Sequence, residues 1–366
     1  MSEATPPSPA LMDRLREALA QAGGWLPFDR YMSLALYEPG LGYYANARRK
    51  FGHMPQSGSD FVTAPELSPL FGRALAHQLR QALDWCGGDT VLEFGAGSGA
   101  LAEQLLDALG ERVAHYQIVD LSGVLRERQR ERLARFGERV QWLDRWPESI
   151  TGVVVANELL DAMPVQLLHW TGQAWQERGV ALDGQGRLVF EDRPSALTPP
   201  PDVAGPWVPG TVTEIHPQAE AFVRTLAAHL TRGAAFFIDY GFPEAEYYHP
   251  QRVGGTLMCH HLHRADPDPL QAPGEKDITA HVNFTGIALA GQDAGLTVLG
   301  YTSQANFLIN CGLINMLCEA DLRQRAAAHR LIAEHEMGEL FKVLGFATGT
   351  GFDALGFAAG DRSHML

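Results

Sequence analysis

Apolar positions in the first 86 residues recur every three to four residues, which is the spacing of amphipathic helices. This spacing predicts helices over residues 11–22, 28–36 and 67–85. Residues 40–65, between the second and third helices, are rich in Gly, Tyr and Ser and are predicted to form a long ordered loop. We therefore expect residues 1–86 to form a helical N-terminal region whose loop covers a bound ligand.

From residue 89 onward, short apolar strands alternate with helices. The predicted strands cover residues 90–94, 116–119, 140–143 and 152–156, and the helices between them cover residues 100–109 and 122–136. This alternation is typical of a parallel, doubly wound sheet. Residues 87–164 are therefore predicted to be the first half of an α/β core.

The alternation of strands and helices is interrupted over residues 165–211. Polar and apolar positions alternate there around turn signals at Thr171-Gly172 and Asp183-Gly184, which is typical of antiparallel strands. A Pro-rich stretch then follows over residues 194–209, and it is predicted to be a linker or a rigid loop. The segment as a whole is predicted to be an antiparallel insertion in the α/β core.

Residues 212–366 resume the α/β pattern and are predicted to complete the core. A polar segment rich in Pro, Gly and His, over residues 241–282, is predicted to be a second long loop. Residues 304–337 are predicted to be a helical insertion, and closing strands are predicted at 341–347 and 355–358. The predicted fold class is α/β, with a doubly wound sheet, a helical N-terminal part and an antiparallel β insertion.

Composition narrows the classes of partner. The 366 residues carry 43 acidic and 29 basic side chains, a formal net charge of -14, which repels nucleic acid and anionic lipid. No apolar run reaches the roughly 20 residues that a membrane span needs. Residues 1–7 resemble neither a signal peptide nor an Arg-rich transit peptide. These features predict a soluble cytoplasmic protein with no nucleic-acid partner and no membrane insertion.

A glycine-rich loop follows the first predicted core strand. It fits a dinucleotide fingerprint through Gly95, Gly97 and Ala100, and it also fits the S-adenosylmethionine (SAM) loop through Glu93, Gly95, Gly97 and Gly99. Such a loop lets the backbone approach a ligand closely at a helix N-terminus. The Glu93 carboxylate favours SAM, because it would meet the ammonium group of SAM and repel a pyrophosphate.

Two more carboxylates end predicted strands beside this loop. Asp120 is placed to accept hydrogen bonds from both ribose hydroxyls of a bound nucleoside, a role that NAD enzymes share. Asp144 is placed to accept from the adenine amino group, although an Asp at a strand end also serves as a turn former. Both are candidate cofactor-binding residues.

Five sequence blocks together carry a family resemblance that covers most of the chain, from about residue 28 to residue 346. They are GSDFVTAPE (58–66), LEFGAGSG (92–99), ANELLDAMPV (156–165), FIDYG (237–241) and DITAHVNF (277–284). The sequence resembles the MidA family of SAM-dependent methyltransferases, whose mitochondrial member is an assembly factor of respiratory complex I. The match departs from the family in CHHLH (259–263), which has two His and a Leu where Tyr and Arg are expected.

The resemblance implies a seven-stranded methyltransferase core with SAM as cofactor. It also implies protein arginine N-methylation of a complex I (NADH dehydrogenase) subunit in support of its assembly. The implied partner is therefore a protein substrate, and a homodimer is left open. An NAD-dependent oxidoreductase and a non-catalytic, SAM-binding assembly chaperone are the alternatives.

Arginine methylation needs carboxylates that orient a guanidinium and accept its proton. Asn157 and Glu158 end the fourth core strand, and Asp161 would share a face with Glu158 on a helical turn. The two carboxylates would form a fork for arginine, or they would charge a helix start. Asp239 and Tyr240 end the fifth strand at the same edge, where Tyr240 either lines the methyl channel or packs.

The remaining candidates lie in loops. Pro65 and Glu66 would close over the methionine end of SAM or start a helix. Asp277 and His281 would shape the acceptor site or form a structural pair. No metal is expected, because adjacent His260 and His261 point apart and lack a partner at ligand spacing. The aromatic residues Trp25, Tyr31, Tyr37, Tyr43 and Tyr44 are predicted to be core.

Overall fold

The computed structural model describes residues 8–46, 62–201, 203, 205–261 and 264–366. The strands are β1 (Trp25–Pro27), β2 (Thr90–Phe94), β3 (His115–Val119), β4 (Val140–Leu143), β5 (Ile150–Asn157), β6 (Gln166–Trp170), β7 (Trp175–Leu182), β8 (Leu188–Pro194), β9 (Val212–Ile215), β10 (Leu230–Phe242), β11 (Met258–His261), β12 (Arg264–Asp266), β13 (Asp277–Thr279), β14 (Val282–Asn283), β15 (Leu296–Ser303) and β16 (Phe341–Thr348). The helices are α1 (Pro9–Gln21), α2 (Phe28–Tyr37), α3 (Ala64–Leu67), α4 (Pro69–Cys86), α5 (Ala100–Leu109), α6 (Gly123–Leu133), α7 (Pro217–His229), α8 (Glu244–Tyr247), α9 (Phe284–Asp293), α10 (Gln304–Asn310), α11 (Leu313–Glu319), α12 (Leu322–Ile332) and α13 (Met337–Leu340).

The central sheet runs in the order β4-β3-β2-β5-β10-β16-β15, and the short β14 joins the end of β10. The pairings from β4 to β10 are parallel, whereas β16 is antiparallel to both of its neighbours. The order reverses between β2 and β5, where the chain leaves one edge of the sheet and continues on the other side. The predicted fold class, a doubly wound α/β core of seven strands, is confirmed.

Apolar side chains cover both faces of this sheet, as buried parallel strands require. Helices α4 and α5 pack on one face with residues such as Val153 and Phe236, and α7 and α9 pack on the other with Val154 and Phe237. The strands therefore read as nearly continuous apolar runs. Acidic side chains lie at or near the carboxyl ends of β2, β3, β5 and β10, and parallel strands bring these ends to one edge of the sheet.

The antiparallel insertion forms a second sheet, in which β6, β7 and β9 pair and β8 adds to β7. The N-terminal strand β1 pairs with β7 and so ties the helical N-terminal region to the insertion. Helices α1 and α2 share a separate buried cluster with residues of β6, β11 and β13. The insertion and the N-terminal region together lie along the edge of the central sheet where the acidic side chains collect.

Two segments differ in detail from the prediction. Residues 355–358, predicted as a strand, contain a 3₁₀ turn over Leu355–Phe357. The backbone N–H groups of Leu355 and Gly356 donate to the side chains of Gln81 and Gln78, at 2.8 and 2.7 Å, instead of to a neighbouring strand. The segment predicted as a loop over residues 241–282 holds α8 and the three-stranded sheet β12-β11-β13.

The helices of the described ranges include none that is both long and apolar enough to cross a bilayer.

Candidate active site

A cavity of about 950 Å³ opens at the carboxyl edge of the central sheet. Most of the candidate site residues line it: Pro65, Glu93, Gly95, Gly97, Asp120, Asn157, Glu158, Asp161, Tyr240, Asp277 and His281. Four others do not contribute to its lining: Glu66, Gly99, Asp144 and Asp239. The cavity thus collects residues from β2, β3, β5 and β10 that are far apart in the sequence.

The glycine loop after β2 forms one wall of the cavity. Gly95, Gly97 and Gly99 have φ angles of +67°, +53° and +79°, in the left-handed region that L side chains rarely adopt. A Cβ on Gly95 would lie 2.9 Å from Cδ1 of Leu159, so the Leu159 side chain would have to move to admit one. Gly99 caps α5 from outside the lining. The loop therefore needs glycine to bring bare backbone to the cavity.

Glu93 lies buried at the base of this loop. Its Oε2 accepts a hydrogen bond from the Tyr116 hydroxyl at 2.7 Å. Burial raises the pKa of Glu93 to about 8, and the nearby Asp120 charge adds to the rise. A cation in the cavity would reverse this effect, because it would favour the ionised carboxylate.

The Asp120 carboxylate is held beside the glycine loop by Gln129. The Gln129 amide donates to Asp120 Oδ2 at 2.8 Å and to the Gly97 carbonyl at 2.9 Å. The Ser122 N–H donates to Asp120 Oδ1 at 2.9 Å. Gln129 sits inside the charged helix α6, and nothing in its sequence surroundings marks it as a contact of the loop.

The structure does not bring Asp144 to the cavity. Its side chain is 86% exposed and pairs with Arg126 at 2.6 Å. Because β4 is the outermost strand of the parallel half, its end lies at the rim of the sheet. The geometry therefore does not support the predicted contact between Asp144 and an adenine.

Pro65 and Glu66 lie on the short helix α3, where the first turn holds the proline and the acid. Glu66 accepts hydrogen bonds from the Ser98 hydroxyl and, at 2.9 Å, from Arg132 Nη1. Glu66 thereby ties α3 to the glycine loop and to α6. Most of the GSDFVTAPE block precedes α3, and residues 58–61 of that block, Asp60 included, lie outside the described residues.

The turn after β5 carries the Asn157, Glu158 and Asp161 side chains. No helix begins here, so both the shared helical face predicted for Glu158 and Asp161 and the alternative of a helix start are wrong. Glu158 instead has a φ of +53°, and its N–H donates to the Ile238 carbonyl at 2.9 Å. The Asn157 amide donates to Glu158 Oε1 at 2.9 Å.

Asp239 holds this turn in place from β10. Its Oδ2 accepts the backbone N–H groups of Leu159, Leu160 and Asp161 at 3.1, 2.9 and 3.3 Å. Its side chain is only 1% exposed and does not reach the cavity. Asp239 therefore positions Glu158 and Asp161, and the geometry does not support its predicted contact with substrate.

Tyr240 donates from its hydroxyl to Asp161 Oδ2 at 2.5 Å. The other carboxylate oxygen, Oδ1, is buried and lacks a hydrogen-bond partner in the described part of the chain. The Asn157 side-chain oxygen is also buried and without a hydrogen-bond partner among the described residues. These two buried oxygens beside the cavity are positions to which the N–H groups of a ligand can donate.

The carboxyl groups of Glu158, Asp161 and Asp239 are buried close to one another. Burial raises the pKa of Glu158 to about 8, and the Asp161 charge adds to the rise. Burial also raises the pKa of Asp161 to about 6. The pKa of Asp239 is raised by burial and then by the Asp161 and Glu158 charges. Without a cation, the cluster therefore retains protons near neutral pH.

The Glu158 carboxyl is expected to destabilise the fold at high pH. Its folded-state pKa of about 8 lies above the ordinary 4.5, so stability falls as the pH rises through that window. Glu158→Gln removes the titration, and we expect it to add about 2–4 kcal/mol to the free energy of unfolding above pH 8. Denaturant unfolding near pH 5 and near pH 8.5 checks this. Glu138→Gln, on the surface, should change neither value, and equal stability of Glu158→Gln and the unsubstituted protein at the higher pH would contradict it.

Asp277, His281 and two tyrosines close the opposite wall. The Tyr44 hydroxyl donates to Asp277 Oδ1 at 2.9 Å, and the Tyr37 hydroxyl donates to the Ala162 carbonyl at 2.8 Å. The Tyr37 and Tyr44 rings stack with their centroids 5.6 Å apart. The prediction that the aromatic set is core therefore holds for Tyr31 and Tyr43, whereas Tyr37 and Tyr44 line the cavity.

No metal centre is found, since the described residues contain no group of three His, Cys, Asp or Glu side chains placed to hold an ion.

The lining fits a cationic ligand such as SAM better than a pyrophosphate. Among the described residues that line the cavity, Arg330 is the one with a permanent positive charge, and it pairs with Glu336 at 2.5 Å. The acidic side chains in the lining are Glu93, Asp120, Glu158, Asp161 and Asp277. The bare backbone of the glycine loop gives an adenosyl group room to lie close to α5. Among the described lining residues, a pyrophosphate would meet no unpaired cation, and the Glu93 carboxylate would repel it.

The sheet order, the glycine loop and the acidic cavity together define a SAM-dependent methyltransferase. A family model described as "Putative S-adenosyl-L-methionine-dependent methyltransferase" matches residues 71–302. The chain belongs to this family. The prediction of a SAM-dependent methyltransferase is thus confirmed, and its cofactor is SAM.

Solved structures agree with this assignment. A crystal structure of a protein from Burkholderia thailandensis, bound to S-adenosyl-homocysteine, is 52% identical, covers 100% of both chains and has a TM-score of 0.94. A second crystal structure from that organism is 50% identical over the same coverage, with a TM-score of 0.90. S-adenosyl-homocysteine is what remains of SAM after methyl transfer.

Curated relatives are more distant. "Protein arginine methyltransferase NDUFAF7, mitochondrial" of Danio rerio is 29% identical over 88% of this chain and 83% of its own. The human protein of that name is 28% identical over 87% of this chain and 79% of its own. The prediction of a cytoplasmic location is wrong by this comparison, because these relatives are named as mitochondrial proteins.

Proposed function

We propose that this methyltransferase transfers a methyl group to a guanidinium nitrogen of arginine in a protein substrate. Two unpartnered acceptor oxygens and the Glu158 and Asp161 carboxyls face one part of the cavity, and this arrangement supports a planar ligand with several N–H donors. The curated relatives are named as protein arginine methyltransferases, which supports the same acceptor. The unpartnered Asp161 Oδ1 is the observation that carries the proposal.

Orientation is the main task of this site. SAM supplies an already activated methyl group on a sulfonium, so the protein has to align the acceptor nitrogen and exclude water. In our proposal Glu158 and Asp161 form a fork that binds the guanidinium through charge-assisted hydrogen bonds. One of the two carboxylates then accepts the proton that the nitrogen loses as its bond to the methyl carbon forms.

The neighbours of the fork fix its geometry. Tyr240 holds Asp161 through its hydroxyl, and Asn157 holds Glu158 through its amide. Asp239 holds the backbone between them through three N–H groups. These contacts orient the fork before the acceptor arrives. The fork side chains therefore lose little conformational freedom on binding.

The cofactor end of the cavity lies at the glycine loop in this proposal. Gly95 and Gly97 would carry backbone past the methionine part of SAM, Glu93 would face its ammonium group, and Asp120 would accept from the ribose hydroxyls. Pro65 would cover the site from α3. Their common place on the cavity lining supports these roles.

The proposed partner is a subunit of respiratory complex I. This follows from the family resemblance, whose mitochondrial member is an assembly factor of that complex. The formal net charge of -14 favours a basic acceptor region over an acidic one. Of the alternatives raised by the sequence, the NAD-dependent oxidoreductase and the non-catalytic chaperone are set aside, because the family and its cofactor are those of a methyltransferase.

Methylation should accelerate with rising pH. The fork binds a guanidinium in its ionised form, whereas the pKa values of Glu158 and Asp161 are raised to about 8 and about 6 in the free protein. We therefore expect kcat/KM for an arginine acceptor to rise roughly tenfold per pH unit from about pH 6 and to level off near pH 8. Initial rates across this range check it, and a flat profile would contradict it.

A further inference from the structure

The acceptor end of the cavity carries a histidine whose ring is held from two sides. The His281 ring stacks on Phe242 with centroids 5.0 Å apart and 3° between the planes. The same ring meets Tyr240 in a T-shaped contact, again with a centroid distance of 5.0 Å. Its backbone N–H donates to Thr256 Oγ1 at 3.0 Å. The ring therefore keeps one orientation towards the cavity that it lines.

This ring is neutral at physiological pH. Its Nδ1 is buried and lacks a hydrogen-bond partner within the described ranges, so in the neutral ring with its proton on Nε2 this atom is another unpartnered acceptor. Protonation would leave an N–H at that position without an acceptor, which is costly in a buried site. Burial lowers the pKa of His281 to about 4, and the Arg252, Lys342 and His260 side chains lower it further. Arg252 itself lies over the Phe242 ring, with Cζ 4.4 Å from the centroid.

A guanidinium presents more donors to this site than an ammonium does. It carries five N–H groups in one plane, whereas an ammonium carries three. Part of the fork is already engaged, because Asp161 Oδ2 accepts from Tyr240 and Glu158 Oε1 accepts from Asn157. Tyr240 also contacts His281, so the imidazole is the neighbouring acceptor on that wall. A charged ring would repel the substrate, and a neutral ring does not.

We propose that His281 sets the acceptor specificity of this site, because Nδ1 of its neutral imidazole accepts a guanidinium N–H beside the Glu158 and Asp161 carboxylates and thereby favours arginine over lysine. The inference rests on the proposed function and deepens it. His281 acts in binding and orientation, while the carboxylates remain the groups that take the proton.

Two substitutions separate this role from packing. His281→Phe keeps a flat ring on Phe242 and removes the acceptor, and His281→Gln keeps a neutral acceptor. Each full-length variant, saturated with S-adenosyl-homocysteine, is titrated calorimetrically with N-acetyl-arginine methylamide and with N-acetyl-lysine methylamide. We expect His281→Phe to weaken arginine binding by about 10–100-fold and lysine binding by less than about twofold. His281→Gln should return arginine binding to within about threefold of the unsubstituted protein.

Exposed His364 provides the matched control, since His364→Phe should change neither affinity. The inference is overturned if His281→Phe binds the arginine compound as tightly as the unsubstituted protein, if it loses both compounds equally, or if the unsubstituted protein does not bind the arginine compound. Failure of the proposed function gives a different result from failure of this inference. If arginine methylation is wrong, no methylarginine forms on protein, while the His281-dependent preference in binding persists.

Discussion

Glu158→Gln is expected to lower kcat for methyl transfer to arginine by about 10²–10⁴-fold, the range typical of a lost general acid–base group. Gln keeps the size of the side chain and its hydrogen bond with Asn157, but it cannot carry the charge that orients a guanidinium. SAM affinity should stay within about twofold, because in our proposal the cofactor lies against the glycine loop. Radiometric transfer assays together with calorimetric titration of SAM measure both quantities.

Glu138→Gln is the matched control for this substitution, because Glu138 is exposed and does not line the cavity. It should leave kcat and SAM affinity unchanged. A Glu158→Gln enzyme that retains more than about a tenth of the activity, with SAM binding intact, would remove Glu158 from the proposed mechanism.

Gly97→Arg is expected to abolish SAM binding. Gly97 has a φ of +53° and lines the cavity, so an arginine there is strained and also places a long cationic side chain where the sulfonium and ammonium groups belong. We expect affinity to fall by more than about 100-fold, since both the space and the charge complementarity are lost. Titration of SAM into the purified variant tests this.

Gly184→Arg is the comparison for the added arginine. Gly184 lies in an exposed turn with open space around its Cα, and its φ is not in the left-handed region. This variant should bind SAM as the unsubstituted protein does. If Gly97→Arg also binds SAM normally, the glycine loop is not the cofactor site.

Local patterns predicted those parts of the site that depend on neighbours in the sequence. The strand, glycine and helix pattern around Gly95 and Gly97 reproduces β2, the loop and α5 with the observed bounds. The helix predicted to begin at residue 122 does begin there, because the Ser122 hydroxyl caps α6 by accepting the N–H of Leu125 at 3.2 Å. Such features follow from hydrogen bonds that span three or four residues.

The site features that the sequence did not predict depend on contacts between residues far apart in the chain. The Glu158–Asp161 segment was expected to be helical, but Asp239, about 80 positions away, captures its backbone N–H groups and shapes a turn instead. Gln129 reaches the glycine loop because α6 packs beside it, and Tyr44 reaches the cavity because the N-terminal region packs there. No periodicity or motif records such contacts, since they depend on how distant elements dock.

Methyl transfer with amino-acid analysis of the product tests the central proposal most directly. The purified chain is incubated with methyl-labelled SAM and with complex I subunits as acceptor, and the labelled protein is hydrolysed to amino acids. We predict label in methylarginine with the unsubstituted protein and almost none with Glu158→Gln. Label confined to methyllysine or to carboxyl methyl esters would contradict arginine as the acceptor.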